Sequence, residues 1–507
     1  MEAIRVENLV KRYKNDVLAV DHLSFTLERG QILGLLGGNG AGKTIPMLGL
    51  LVPTSGRITV LGQSMAENRF AAPARMNFSS PYISLPARLS VKRNLEVYGH
   101  LYNVPKLKTR IDKLAEQLLL TNLLARPAGD RSAGQKTRVA LAKSFLNQPE
   151  IVLLDEPTAS LDPDMGDYVR TALENYRTNT GASILLASHN MAEVERLCDQ
   201  VLMMKQGRVA GRGYTEGADQ PLRAGGYGRG VSSYSPERSD MTGGAQRIWG
   251  LVYRHLCMYQ RSWPRLAEIA YWPTLELLIW GFTANFFSRN LHGNAPILAG
   301  TALIAGALLW EIVPRAQIGV TLSFLEEIWS RNLGHIVVSP LRPAEMVPAL
   351  LAVSAIRTFI GLLPATIIAF LLYHYDLFAP GLVMLLFFLN LLVMGWWVAL
   401  GIVSLLFRYG SGAEALAWTV AFGIIPVACV FYPLACLPGW LQPVAQALPA
   451  AHVFEGLRAL LLSSHMDWSQ LATAAWLNAL WMLAGIAVFG AEFRRARILG
   501  ALISIGE

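Results

Sequence analysis

Two patterns of apolar and polar positions divide the chain. Up to about residue 215 the apolar residues come in short runs, such as QILGLL at 31–36, IVLL at 151–154 and ILLA at 184–187, separated by polar helical stretches and glycine-bearing turns. Short buried strands alternating with helices predict an α/β domain on a parallel sheet. After about residue 265 the runs lengthen. A bilayer core of about 30 Å takes about 20 apolar residues as a helix. Six runs of that order lie near 266–287, 296–314, 346–373, 381–407, 413–432 and 471–491. The chain is therefore expected to be multidomain: an α/β half over 1–215, a linker over 216–247, and an all-α six-helix transmembrane half over 248–507.

The linker expectation rests on composition, because LRAGGYGRGVSSYSPERSDMTGG is rich in Gly, Ser and Arg and lacks apolar periodicity. Ile248 to Trp263 mixes Arg and His with Leu, Val, Tyr and Trp at helical spacing, the pattern of a helix lying on a membrane surface. Arg254, Arg261 and Arg265 precede the first span, Arg331 and Arg342 separate the second from the third, Arg408 follows the fourth, and Arg494, Arg495 and Arg497 follow the sixth. The opposite loops are nearly free of Lys and Arg, so both termini are expected in the cytoplasm of a multi-pass inner-membrane protein. The start MEAIRVENLVKRYKN lacks the apolar core of a signal peptide, which agrees.

Composition adds little beyond this. Hydrophobic residues make up 53% and charged residues 16% of 507 positions, with a net charge of +8. The basic residues form no single stripe, so membrane topology accounts for them and a nucleic-acid partner is not expected. The four cysteines show no paired metal spacing; Cys429 and Cys436 either pair on the outer side or stay as two buried thiols. Glu276, Glu311 and Arg357 fall inside expected spans, where an ionisable group lines a pathway or snorkels to the surface.

The chemistry lies in the first half. The strand at 31–36 runs into Gly37, Gly38, Asn39, Gly40, Ala41, Gly42, Lys43 and Thr44, which matches G-x-x-x-x-G-K-[ST]. Glycines in that pattern turn backbone N–H groups onto a polyphosphate, Lys43 supplies charge to the β and γ phosphates, and the Thr44 hydroxyl can ligate Mg²⁺. The strand Ile151 to Leu154 ends in Asp155 and Glu156, placing one carboxylate for Mg²⁺ and a second as general base for an attacking water. His189 ends the strand Ile184 to Ala187 and would come near the γ-phosphate beside Glu156.

With Ser132, Ala133, Gly134 and Gln135 ahead of Asp155, Glu156, Pro157 and Thr158, then Ser160, Leu161, Asp162 and Pro163, and then Ser188 and His189, residues 3–215 resemble the ATPases of ABC transporters. The resemblance implies that ATP and Mg²⁺ are bound, that Tyr13 stacks on adenine, and that Asp162, in the D-loop, is one of the nucleotide-binding residues. It implies further that Ser132 to Gln135 close over ATP held by the opposite subunit, so the chain would act as a homodimer. Residues 248–500 resemble the type-2 permeases of ABC exporters, which move polysaccharides, lipid-linked sugars, nodulation signals and drugs. Leu325 to Pro343 carries that resemblance as a cytoplasmic coupling segment, and Leu448 to Arg458 as an outer re-entrant hairpin. The expected activity is ATP-driven export of an amphipathic substrate across the inner membrane, in contact with lipid.

Three departures from the family pattern stand against that expectation. Asn77 to Tyr82 holds no glutamine where the family has one, leaving Ser79 or Ser80 as the hydroxyl nearest Mg²⁺. Pro46 follows the phosphate loop closely, and Arg131 and Ala133 stand where leucine and glycine are common. The alternative they support is a nucleotide-binding membrane sensor or scaffold with impaired hydrolysis and no transport.

Overall fold

The computed structural model describes residues 1–13, 18–37, 52–65, 72–80, 84–159, 161–214, 240–260, 262–290, 294–377, 379–463 and 465–499. Gly38, Asn39, Gly40, Ala41, Gly42, Lys43 and Thr44 lie outside these residues. The chain divides into two compact units that do not follow sequence order.

The first unit is built on two sheets. An antiparallel sheet has the order β2-β1-β4-β5, from β1 (Glu2–Arg12), β2 (Leu18–Glu28), β4 (Ser55–Val60) and β5 (Gln63–Ser64). The second has the order β10-β9-β3-β8-β7-β6. Its strands are β3 (Ile32–Gly37), β6 (Met76–Ser79), β7 (Ile151–Asp155), β8 (Ser183–Ser188), β9 (Gln200–Lys205) and β10 (Arg208–Tyr214). All neighbours in this sheet are parallel except the β9–β10 hairpin. The central strands β7 and β8 are buried along nearly their whole length, which is why they read as unbroken apolar runs.

Polar caps set the helix starts. Ser90 caps α1 (Val91–Leu101), Asp162 caps α4 (Pro163–Thr180), and Asn190 caps α5 (Met191–Leu197) through Ala192 N–H and Glu193 N–H. Ser132 caps α3 (Ala133–Phe145) in a reciprocal pair with Gln135. Helix α2 (Leu107–Gln117) completes this half.

The same unit takes in Glu327–Met346 and most of α6 (Asp240–Gln260). The last residues of the expected linker therefore begin a helix, carried by the apolar positions that follow them. Tyr253 donates to Glu96 Oε2 at 2.8 Å, and Arg247 Nε to Glu345 Oε2 at 2.8 Å. Arg254 pairs with Glu327, both buried. The short helix α10 (Leu333–Val338) is wholly buried against α1, α3 and β6. Asn332 at its start accepts from the Tyr98 hydroxyl, and His335 lies 4.7 Å from the Phe78 ring centre.

The second unit is helical. It holds α7 (Trp263–Asn290), α8 (Asn294–Trp310), α9 (Ile312–Trp329, in this unit up to Glu326), α11 (Pro343–Tyr373, from Val347), α12 (Leu382–Tyr409) and α13 (Glu414–Gly423). α14 (Gln442–Gln446), α15 (Pro449–Ser463) and α16 (Trp468–Leu499, up to Arg494) complete it. Among the described residues four helices are long and apolar enough to cross a membrane: Gly300–Trp329, Pro343–Tyr373, Leu382–Tyr409 and Trp468–Leu499. Two of the six expected spans differ. The run at 413–432 forms only the short α13 and a 3-10 turn, because Gly423 and Pro426 interrupt it. α7 has the length but carries Glu268 and Glu276 within it. Glu311, at the junction of α8 and α9, is paired with Arg315 at 2.8 Å. Cys429 and Cys436 are both free thiols, the first buried and the second exposed.

Candidate functional site

Parallel strands bring their carboxyl ends to one edge of the sheet, where open α/β folds bind ligands. Here the order β3-β8-β7 sets Leu36 beside Ser188 and Asp155 beside Ala187. Gly37, Asp155, Glu156 and His189 thus converge, although they span some 150 positions of sequence. The strand leading into the glycine-rich loop ends directly against the strand carrying His189.

Glu156 and His189 meet: Nδ1 of the histidine lies 2.7 Å from Oε2 of the glutamate. The glutamate is 9% exposed and the histidine 63%, so the pair has one member seated and one reaching into the open. Glu156 holds its backbone at φ +50, the left-handed region that costs a side-chain-bearing residue about 1 kcal/mol. Its N–H donates to Ala187 O at 2.8 Å, which keeps the turn tight against β8. Strain of this kind persists where the surroundings over-determine a functional side chain.

Asp155 accepts from the Ser80 hydroxyl at 3.1 Å. Ser80 rather than Ser79 is therefore the hydroxyl brought to the carboxylate. Two hard oxygens at a strand tip suit Mg²⁺ as donors. Ser132 and Ala133 lie exposed at the N-terminus of the 13-residue helix α3, with Gly134 and Gln135 in its first turn. An uncovered helix N-terminus offers N–H groups and positive dipole to a phosphate. Ser132 Oγ accepts from Gln135 N–H, so it already serves the cap. Asp162 likewise caps α4, accepting from Met165 N–H at 2.9 Å. The Tyr13 ring has the Lys11 amine 5.5 Å from its centre, and burial raises its phenol above the ordinary value.

Lys143 escaped the reading of the sequence. On α3, it is 1% exposed and donates to Asn77 Oδ1 at 2.9 Å, and burial holds its amine well below the usual lysine range. The available signal was a lysine directly after the apolar run Val139 to Ala142.

A family model for ABC transporters matches residues 20–159. The ABC transporter ATP-binding protein NatA of Bacillus subtilis is 35% identical over 209 residues, covering 40% of this chain and 85% of its own. The chain belongs to the ABC transporter family. A second ABC relative, the Nod factor export ATP-binding protein I of Ralstonia nicotianae, is 34% identical over 215 residues, 41% of this chain. The chain spans 66% of that protein's length, just under two thirds. A solved ATP-binding subunit of an ABC transporter is 25% identical, covers 42% of this chain and 90% of its own, and has a TM-score of 0.40. The carboxylate pair Asp155 and Glu156, the histidine and the α3 N-terminus stand on separate elements of the first unit.

Proposed function

We propose that the chain is an ATP-driven exporter that works as a homodimer, moving an amphipathic substrate such as a lipid-linked saccharide or a drug-like molecule across the inner membrane. The observation that carries the reading is the Glu156–His189 contact at the carboxyl edge of the parallel sheet. Support for a membrane role comes from the four long apolar helices, and for export from the named function of the Ralstonia relative.

Glu156 is the general base. Its carboxylate accepts the proton of the attacking water while His189 holds the base in place and faces the γ-phosphate. Lys43 and the loop Gly37 to Thr44 bind the β and γ phosphates, and Asp155, with Thr44 and Ser80, is the oxygen set for Mg²⁺. The metal when bound neutralises charge on the transferred phosphoryl group. Ser132 to Gln135 of one subunit close on ATP held by the other, with Asp162 at the same face, and Tyr13 stacks on adenine. Phosphoryl transfer gains most of its rate from such positioning and electrostatics.

The test is ATP turnover by the full chain in lipid nanodiscs, comparing wild type with Glu156→Gln and Lys43→Ala. Turnover that both variants abolish supports the exporter and justifies a cargo screen. ATP binding without wild-type turnover would replace it with the sensor or scaffold, which the absence of glutamine from Asn77 to Tyr82 favours.

A further inference from the structure

Glu193 is a buried carboxyl that the reaction just described does not use. It lies on α5 four residues after His189, is 0% exposed, and accepts from the Ser188 hydroxyl at 2.6 Å. Ser188 Oγ in turn accepts from Asn190 N–H at 3.1 Å, and Asn190 Oδ1 accepts from Ala192 N–H at 3.1 Å. The residues on both sides of His189 are therefore tied to one carboxyl. The Thr158 side chain also hydrogen-bonds this carboxyl, so a group that is costly to bury has partners on both the Glu156 turn and the His189 turn.

We propose that Glu193 is a positioning residue for ATP hydrolysis, acting through Ser188 to hold the His189 backbone so that the imidazole meets Glu156. This rests on the reading that Glu156 and His189 carry out hydrolysis. His189 is largely exposed and Glu156 is the partner its ring meets, so the ring's place depends on the backbone that presents it. Ser188 is the last residue of β8 and is itself fully buried, which gives the carboxyl a rigid element to pull against.

The surroundings fit a group held for geometry. Burial raises the carboxyl above the ordinary glutamate range, and the nearby Glu156 raises it further. Ser188, Thr158 and Arg170 oppose that, and the Cys198 thiol is a further titratable neighbour. Thr158 lies two residues after Glu156, so the carboxyl stands between the turn that carries the base and the turn that carries the histidine. A catalytic contact displaced by about 1 Å can cost on the order of 10²-fold in rate.

The experiment uses the full chain in lipid nanodiscs with Glu193→Ala, Glu193→Gln, Ser188→Ala and the double variant Ser188→Ala/Glu193→Ala. The expected result is a kcat lowered on the order of 10²-fold in Glu193→Ala with the KM for ATP unchanged. Glu193→Gln keeps an acceptor oxygen for Ser188 and recovers most of the loss. Ser188→Ala reproduces the loss, and the double variant adds nothing to it. A second readout is independent of turnover: the rate at which diethyl pyrocarbonate modifies His189, followed by peptide mass spectrometry. It should rise in Glu193→Ala and Ser188→Ala and return towards wild type in Glu193→Gln.

A Glu193→Ala variant with wild-type kcat, or additive losses in the double variant, overturns the proposal. So does an unchanged His189 modification rate. If wild type lacks turnover, the hydrolysis reading fails by itself, while the modification rates still decide whether Glu193 positions His189. Should Glu193→Ala fail to fold, Ser188→Ala against Glu193→Gln makes the same comparison.

Discussion

The Lys143 amine lies 3.1 Å from Nδ1 of His335, joining the helix that starts at Ser132 to the short helix α10. The same amine donates to Asn77 Oδ1 and to Phe78 O and stands 5.2 Å from the Tyr98 ring centre. Because burial lowers its pKa in the folded protein, the unfolded chain binds a proton there that the folded chain resists. Stability should therefore rise with pH between the lowered value and about 10.4, with a slope of at most about 1.4 kcal/mol per unit from this group. Lys143→Met should flatten the profile over that interval. Thermal unfolding of both proteins across that range is the check, and identical slopes would contradict it.

Glu156→Gln keeps the size of the side chain and removes the base. ATP binding should persist while turnover falls by about 10²-fold or more. Nucleotide affinity and single-turnover rate measured on the same sample separate the two; a joint loss would assign Glu156 to binding.

Ser80→Ala deletes the hydroxyl that donates to Asp155. One such bond contributes about 1 kcal/mol, so the Mg²⁺ concentration for half-maximal turnover should rise about fivefold with kcat nearly kept. A titration of Mg²⁺ at saturating ATP reads this directly. No change would mean that Ser80 merely satisfies the carboxylate.

Asp162→Ala removes the cap of α4 and should cost about 1 kcal/mol, while Asp162→Asn retains the acceptor and most of the stability. Denaturant midpoints of the two variants give the comparison. Equal stabilities would leave the dimer-face role as the reason for the residue.

Gly34→Ala is expected to be costly. A Cβ there would come 2.8 Å from Cys198 Sγ and 3.3 Å from a Val194 methyl, pushing α5 off β3. Since α5 carries Glu193, the variant should lose turnover as well as stability; full activity would show that the cysteine side chain gives way.

The convergence of Glu156 and His189 was legible in the sequence because both follow short buried strands, and parallel strands end at a common edge. The start of α3 is set by the reciprocal cap of Ser132 and Gln135, a pairing that the expectations from the sequence had not used. The run at 413–432 misled because apolar content measures length in lipid only if the helix is unbroken, and Gly423 and Pro426 break it. Lys143 and His335 stand 192 positions apart, and no local pattern announces such a pair. Glu193 was hidden for another reason: a glutamate in the first turn of a helix reads as a favourable surface charge, and only the side of α5 it takes shows it buried.

Glu327–Met346 belongs to the same compact unit as the nucleotide-site half, which changes what counts as a transferable part. Cutting the chain after Tyr214 would uncover Phe78, Tyr98 and Lys143, all buried in the intact protein. An ATPase half grafted from another transporter would have to supply its own counterpart to Asn332 and His335, or bring the foreign loop along with it. Modularity here follows packing, and the exchangeable piece is discontinuous in the gene.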